Sequence, residues 1–347
     1  MSDTTASAVL TDSMPAWRQH RYGEADSVAL ETAGVPDPGK GEVLLRLRAT
    51  GLNSGDIRVM RGEPRLVRLA FGLRRPRQPV RGMDAVGTVV AVGPGVTALA
   101  VGDEVVGELP GGGGLARYAL SPVARLVPLP PALSPEVAAT LPIAGGTAWQ
   151  ALDLAGVTDA ARAAGAPRRR VLVIGASGGV GTFAVQLAAL RGAEVWALCG
   201  ERNRGIVAGL GAARTFDYRT VQPGSAELPD DTFDAVIDIA GTAPLRALRA
   251  LVRDGGRVAL VSGEGGRWLG PVGRILGASV LSIASKRVLR PIAASAKAGI
   301  LGQLVALAAT GSIRPVIERR YDFVQAGAAL AHVAGGHVTG KVVVIAE

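Results

Sequence analysis

Cysteine is almost missing from this chain of 347 residues, which holds Cys199 alone, and histidine is confined to His20, His332 and His337. One thiol closes no disulfide within the chain, and this inventory builds neither a four-cysteine structural zinc site nor a mixed cysteine/histidine catalytic cluster. Cys199 follows an apolar run and reads as a small buried hydrophobe. Aromatics make up 4% of the residues, too sparse for the stacking platforms that single-stranded nucleic acid needs. No apolar run reaches the length of a bilayer span without interruption, and residues 1–23 lack a basic segment followed by a long apolar core. The sequence therefore predicts no membrane partner, no signal peptide and a cytoplasmic location.

Lysine is scarce as well. Of 38 basic residues, only Lys40, Lys286, Lys297 and Lys341 are lysine. A net charge of +9 would ordinarily point to nucleic acid or anionic lipid. An Arg-, Ala- and Gly-heavy usage of this kind reads instead as the coding bias of a GC-rich genome, and no nucleic-acid partner is expected. Basic residues are densest in RGEPRLVRLAFGLRRPRQPVRG, with Arg61, Arg65, Arg68, Arg74, Arg75, Arg77 and Arg81. A solvated loop is the plain reading. A nucleic-acid patch, or a lid over an anionic cofactor or substrate, are the alternatives.

Hydrophobic residues, by contrast, make up 48% of the chain and glycines number 48, which suits a globular protein of two domains with proper cores. Residues 171–198 read VLVIGASGGVGTFAVQLAALRGAEVWAL: an apolar strand, a glycine cluster, a helical pattern and a second strand. A strand that turns at once into a helix leaves the first helical N–H groups unpaired, an arrangement that attracts phosphate. Ala176, Gly178 and Gly181 give A-x-G-x-x-G in the context of the dinucleotide fingerprint G-x-G-x-x-G.

Before this motif, the runs Val43–Arg48, Ala85–Val92, Glu104–Val106, Arg117–Leu120 and Arg125–Pro128 are short, apolar and bounded by turn residues, an all-β pattern. From Ser134 helices appear, and strands at Val171–Ile174, Glu194–Leu198, Arg214–Phe216, Ala235–Ile239 and Arg257–Val261 alternate with helical segments. That alternation predicts an α/β doubly wound parallel sheet. A helix near Ile300–Ala309, the run Pro315–Arg319, another helix and a strand at Lys341–Ala346 close the chain.

The segments ATGLNSGDIRVMRG, RGMDAVGTVVAVGPGV, VGDEVVG, LPIAGGTAWQAL, GASGGVGTFAVQLAALRGAEV, LGAARTFDYR, VIDIAGT and HVTGKVVV resemble, in this order, the signatures of the medium-chain dehydrogenase/reductase superfamily. RGEPRLVRLAFGLRRP and GEGGRWLGPVGRILG further resemble a bacterial branch of NAD(P)-dependent alcohol dehydrogenases of the quinone-oxidoreductase type. The resemblance implies a GroES-like β-rich catalytic domain from residues 1–133 and 286–347, and a Rossmann NAD(P)-binding domain over 134–285. It also implies a homodimer paired edge to edge through the doubly wound sheets.

Zinc-dependent members of the superfamily draw ligands from a Cys in C-x-x-D, a His in G-H-E and a residue four before a threonine. The matching positions here are Asn53 (with Asp56 three later), Met83 (followed by Asp84) and Ile143 (four before Thr147), and Gly55 replaces a proton-relaying hydroxyl residue. Asn, Met and Ile do not hold a tetrahedral Zn²⁺, so no zinc is expected. Hydride addition to an electron-poor conjugated carbon needs placement and a modest polarising donor rather than a Lewis acid. Asn53 is the candidate polarising group, donating to a substrate carbonyl or holding the nicotinamide; the plainer alternative is that it stabilises its own turn. Asp56 ties the loop, and Thr147 resembles the residue that faces the nicotinamide.

For the cofactor, the resemblance implies contacts from Ala176, Ser177, Gly178, Gly179, Val180, Gly181, Gly200, Arg202, Asn203, Tyr218, Ser262 and Lys341. Glu201 alone would argue for NADH, but related zinc-free chains read C-S-T-R-N at Cys199–Asn203. This chain keeps Arg202 and Asn203, adds Arg204 and replaces the Ser by Gly200. Two guanidiniums near a 2′-phosphate outweigh one carboxylate, so NADPH is expected over NADH. The function implied is zinc-independent reduction of a quinone or α,β-unsaturated ketone. Alternatives are an enoyl reductase of a polyketide-like pathway and a non-catalytic NADP(H)-binding or nucleic-acid-associated protein. The largely apolar GEGGRWLGPVGRILGASVLSIAS, with Glu264, Arg267 and Arg274, suggests a hydrophobic small-molecule substrate or a packing segment.

Overall fold

The computed structural model describes residues 12–158, 168–262 and 268–346; Glu264 and Arg267 lie outside the described residues. The chain opens with an antiparallel pair, β1 (Ser13–Gln19) and β2 (Val28–Gly34), whose half-exposed faces carry no strong apolar alternation and gave no sequence signal. β3 (Glu42–Leu52) leads through α1 (Ser54–Arg61) and α2 (Val67–Phe71) to β4 (Asp84–Val92), β5 (Glu104–Glu108), β6 (Tyr118–Pro122) and β7 (Leu126–Pro128). The link to the second unit is α3 (Pro135–Ala138), capped by the Ser134 side chain, then a π-helical turn at Leu141–Gly145 and α4 (Gly146–Leu154).

The second unit runs β8 (Arg170–Ile174), α5 (Gly179–Leu190), β9 (Glu194–Cys199), α6 (Arg204–Gly209), β10 (Ala212–Asp217), β11 (Phe233–Asp238), α7 (Leu245–Leu251), β12 (Val252–Leu260), α8 (Val272–Ser282) and β13 (Val288–Pro291). The chain then returns through α9 (Ala298–Ala309), β14 (Ile317–Asp322), α10 (Ala326–Ala334) and β15 (Lys341–Ile345).

Two large sheets result. The first has seven strands in the order β14-β15-β3-β4-β5-β7, with β6 pairing β3; the second has six in the order β10-β9-β8-β11-β12-β13, all parallel. β13 pairs with β12, so the parallel sheet runs past residue 285, where the sequence reading ends that domain. Every residue of β11 is buried, because helices cover both faces of a parallel sheet. On one face α5 is buried from Gly181 to Ala188 between the strands and α4: Phe183, Ala184 and Leu187 join Val171, Val173 and Ala197 below and Ala148, Ala151 and Leu152 above. This cluster continues into the seven-stranded sheet through Ala49, Val86 and Val343, so one core ties the two units.

The strand order reverses at β8, and the crevice beyond the carboxyl ends of its neighbours is where such sheets bind ligands. Cys199 is buried at the end of β9 as expected, its thiol pushed up to about 11 by desolvation.

The Arg-rich stretch is solvated only in part: Arg74, Arg75 and Arg77 are exposed, and the other four arginines are engaged. Arg61 pairs with Glu24, Arg65 and Arg68 stack on the rings of Trp268 and Tyr22, and Arg81 is 1% exposed. Burial lowers the Arg81 guanidinium to about 10 against the opposing charge of Asp56. Basic charge density alone could not distinguish arginines that stack and pair from arginines that meet only water.

Candidate active site

The glycine loop between β8 and α5 uses its glycines in different ways. Gly175 turns at φ 84°, a conformation that favours glycine. A Cβ on Gly181 would collide with the Gly175 carbonyl oxygen, so this glycine lets helix and strand pack. Gly178, the N-cap of α5, has ordinary extended angles, and a Cβ there would find nothing nearer than 3.6 Å. No side chain caps the helix, which leaves the N–H groups of Gly179, Val180 and Gly181 without intrahelical partners. The strand entering β15 docks on this loop. Gly340 N–H donates to the Ser177 carbonyl at 2.8 Å, and the Lys341 stem passes the Gly179 position, 3.2 Å from where a Cβ would stand. Ala176 is fully buried behind the loop.

Lys341 carries its ammonium into the catalytic loop. Its Nζ donates to Asn53 Oδ1 at 2.5 Å and Asp84 Oδ2 at 3.1 Å, in a setting where Lys341, Asp84 and Asn53 are 2%, 0% and 9% exposed. Asn53 Nδ2 donates to Asp84 Oδ2 at 2.8 Å and, over a longer 3.3 Å, to the Gly51 carbonyl. The amide orientation follows from these neighbours, since only Oδ1 can face an ammonium. Both amide hydrogens expected to meet a ligand are thus engaged within the protein, and only the long bond to Gly51 is readily exchanged.

Ile143 reaches the same carboxylate by its backbone, N–H to Asp84 Oδ1 at 3.0 Å. Asp56 closes the loop as expected, taking N–H donors from Asn53 and Gly82 at 2.9 Å each. Its carboxyl is pushed up to about 6 by burial, with the bond from Asn53 opposing and the Asp84 charge adding.

The three positions that carry zinc ligands in metal-dependent relatives therefore converge, but on an amide, a thioether and an aliphatic chain. A Cβ added at Gly55 would stand 3.1 Å from Met83 Cε, so the thioether crowds the place of the missing hydroxyl residue. A buried ammonium holds the nearby carboxylate. This donor set does not fit Zn²⁺.

Across the cleft, Arg58 on α1 donates to Ser262 Oγ beyond β12 at 2.9 Å, linking the two units. The sequence reading named Ser262 but missed Arg58, whose only signal was its place one turn beyond Asn53. Thr147 is half-buried on α4, four residues after Ile143.

The expected adenosine end gathers at β9. Tyr218, 42% exposed, lies against Gly200, whose added Cβ would be 3.5 Å from its ring. Arg202 donates to the His337 carbonyl at 2.6 Å, and Asn203 is buried with its Oδ1 accepting from Thr339 Oγ1 at 3.1 Å. Arg204 pairs with Glu201 at 3.0 Å, so the carboxylate and one of the two guanidiniums offset each other within the turn. Arg274 turns inward to Asp238 at 2.6 Å and to the Ala243 carbonyl, away from the substrate role expected of its segment.

One residue without a sequence signal sits beside the loop. Glu108 faces Asp84 across the β4–β5 pair and lines a small cavity with Arg125, Gln150, Ser295 and Lys297. Burial pushes its carboxyl up to about 7; the Asp84 charge adds to the shift and Arg125 opposes it.

Comparison with known proteins agrees with this architecture. The alcohol dehydrogenase GroES-like domain family matches residues 39–131, and the zinc-binding dehydrogenase family matches 210–344. The chloroplast envelope quinone oxidoreductase homolog of Arabidopsis thaliana is 36% identical over 316 residues, covering 89% of this chain and 91% of the relative. The chloroplastic quinone-oxidoreductase QR1 of Triphysaria versicolor is 35% identical over 313 residues, covering 89% and 91% respectively. The solved structure of the quinone oxidoreductase from Coxiella burnetii superposes with a TM-score of 0.83 at 25% identity, over 96% of this chain and 99% of that one. The chain belongs to the medium-chain dehydrogenase/reductase superfamily and stands with its quinone-oxidoreductase-like members. It is an oxidoreductase served by a nicotinamide cofactor.

Proposed function

We propose that this protein reduces quinones or α,β-unsaturated ketones with NADPH and without zinc. The observation that carries the reading is the replacement of a metal-ligand set by Asn53, Met83 and Ile143 around a buried Lys341–Asp84 pair. When bound, a reduced nicotinamide supplies the hydride. The free N–H groups of α5 offer positive charge to a pyrophosphate, next to the aliphatic stem of Lys341 at Gly179. Gly178 leaves room for that approach. Asn53 orients through its bonds to Lys341 and Asp84, and trades its long bond to Gly51 for a carboxamide or carbonyl oxygen. Thr147, half-buried on α4, is the candidate to face the nicotinamide, and Ser262 is positioned by Arg58. With Glu201 drawn to Arg204, Arg202 is the guanidinium left for a 2′-phosphate.

The test is NADPH oxidation against a panel of quinones and enones, with NADP⁺ and primary alcohols as the opposing reaction. Reduction without measurable alcohol oxidation is expected; alcohol oxidation as the faster reaction would refute the assignment.

We further propose a homodimer through β13, the open edge of the parallel sheet beside the exposed Leu276, Val280 and Ile283 of α8 and its C-cap. Light scattering should give twice the chain mass; a monomer at working concentration would contradict it.

A further inference from the structure

At the rim of the cleft, segments from the two units meet. Chain leaving α1 passes through Gly62–Leu66 into α2, while residues 268–271 follow β12 and precede α8. The Leu66 N–H donates to the Trp268 carbonyl at 3.1 Å, the Arg65 guanidinium lies 3.9 Å from the Trp268 ring centre, and Gly270 packs so tightly on Pro64 that a Cβ would overlap it. The outward side of this junction is apolar. Leu66, Leu69 and Leu73, three and four residues apart, are 43%, 63% and 68% exposed, and Trp268 and Leu269 are 64% and 59% exposed. Arg74, Arg75 and Arg77 are exposed immediately beyond them.

A cluster of large apolar side chains in water needs a cover. A second copy would bring its own three arginines against these three. Nucleic acid would answer the arginines and leave the leucines and tryptophan unmatched. An anionic bilayer answers both, because leucine and tryptophan enter the boundary between headgroups and acyl chains while arginines meet lipid phosphates.

We propose that this rim docks the protein on an anionic membrane surface, with Trp268 at the headgroup level. Docking of this kind needs no spanning segment.

The test is sedimentation with vesicles of phosphatidylcholine alone or mixed equally with phosphatidylglycerol, read together with tryptophan emission. Wild type should sediment with the mixed vesicles only, with a blue-shifted emission that Trp268→Phe removes. The variant Arg74→Gln/Arg75→Gln/Arg77→Gln should lose about 100-fold in affinity, at the usual contribution of each surface arginine. Leu69→Glu/Leu73→Glu should lose at least tenfold, about the effect of placing charge in the apolar boundary. Wild type left in the supernatant, or leucine variants that sediment unchanged, would overturn the proposal. So would an assembly split by the leucine variants, or RNA retention lost in the arginine variants, if either occurred without vesicle binding.

Discussion

Lys341 and Asp84 form an ion pair of 3.1 Å within the seven-stranded sheet, with side chains 2% and 0% exposed, and the Lys341 stem packs on the glycine loop of the parallel sheet. Lys341→Met leaves the Asp84 carboxylate buried without its counter-charge, a change that costs about 3–5 kcal/mol. Denaturant unfolding should show that loss, and Lys341→Met/Asp84→Asn should recover part of it. A single variant as stable as wild type would show that the pair does not form.

The two fingerprint glycines should separate on substitution. Gly181→Val drives a side chain into the Gly175 carbonyl and should unfold the β8–α5 junction. Gly178→Val has space and ordinary backbone angles, so it should fold with the stability of wild type yet lose cofactor binding. Calorimetric titration with NADPH on the folded Gly178→Val protein checks this; unchanged affinity would move the pyrophosphate elsewhere.

This contrast marks how far the sequence reached. The loop, its helix and the parallel order were legible because period and glycine spacing report local backbone needs. The fingerprint also carries the roles of Gly178, room for a pyrophosphate, and Gly181, close packing of helix on sheet, but that the Gly175 carbonyl stands opposite Gly181 was not legible. Nor was the engagement of both Asn53 amide hydrogens, which requires Asp84 from β4 and Lys341 from β15, 31 and 288 residues away in sequence. Arg81, Arg65 and Arg68 were misread for the same reason: their partners Asp56, Trp268 and Tyr22 are tertiary neighbours.

Cofactor choice should rest on Arg202. Arg202→Ala should raise KM for NADPH about tenfold, the scale of one charge-assisted phosphate contact, while leaving NADH nearly untouched. Equal losses with both cofactors, or a wild-type preference for NADH, would return the role to Glu201.

Glu108 should make stability depend on pH. Burial pushes its folded carboxyl up to about 7 from an ordinary value of 4.5, so the folded state holds the proton more tightly and stability falls as pH rises from about 4.5 to 7. Glu108→Gln should therefore be more stable than wild type at pH 8 by about 1–2 kcal/mol, discounted for partial exposure, and lose most of that advantage by pH 5. Urea unfolding at the two pH values measures it; an advantage independent of pH would contradict the burial of this carboxyl.

The central claim, reduction by a site that has exchanged a zinc-ligand set for Asn53, Met83 and Ile143 around a buried ammonium, is tested most directly on one sample. Zinc content should be measured by mass spectrometry on chelator-treated protein, and NADPH oxidation with a small quinone followed on the same preparation. Far less than one zinc per chain with full turnover is the expected result. Stoichiometric zinc whose removal stops turnover, and whose return restores it, would contradict the account.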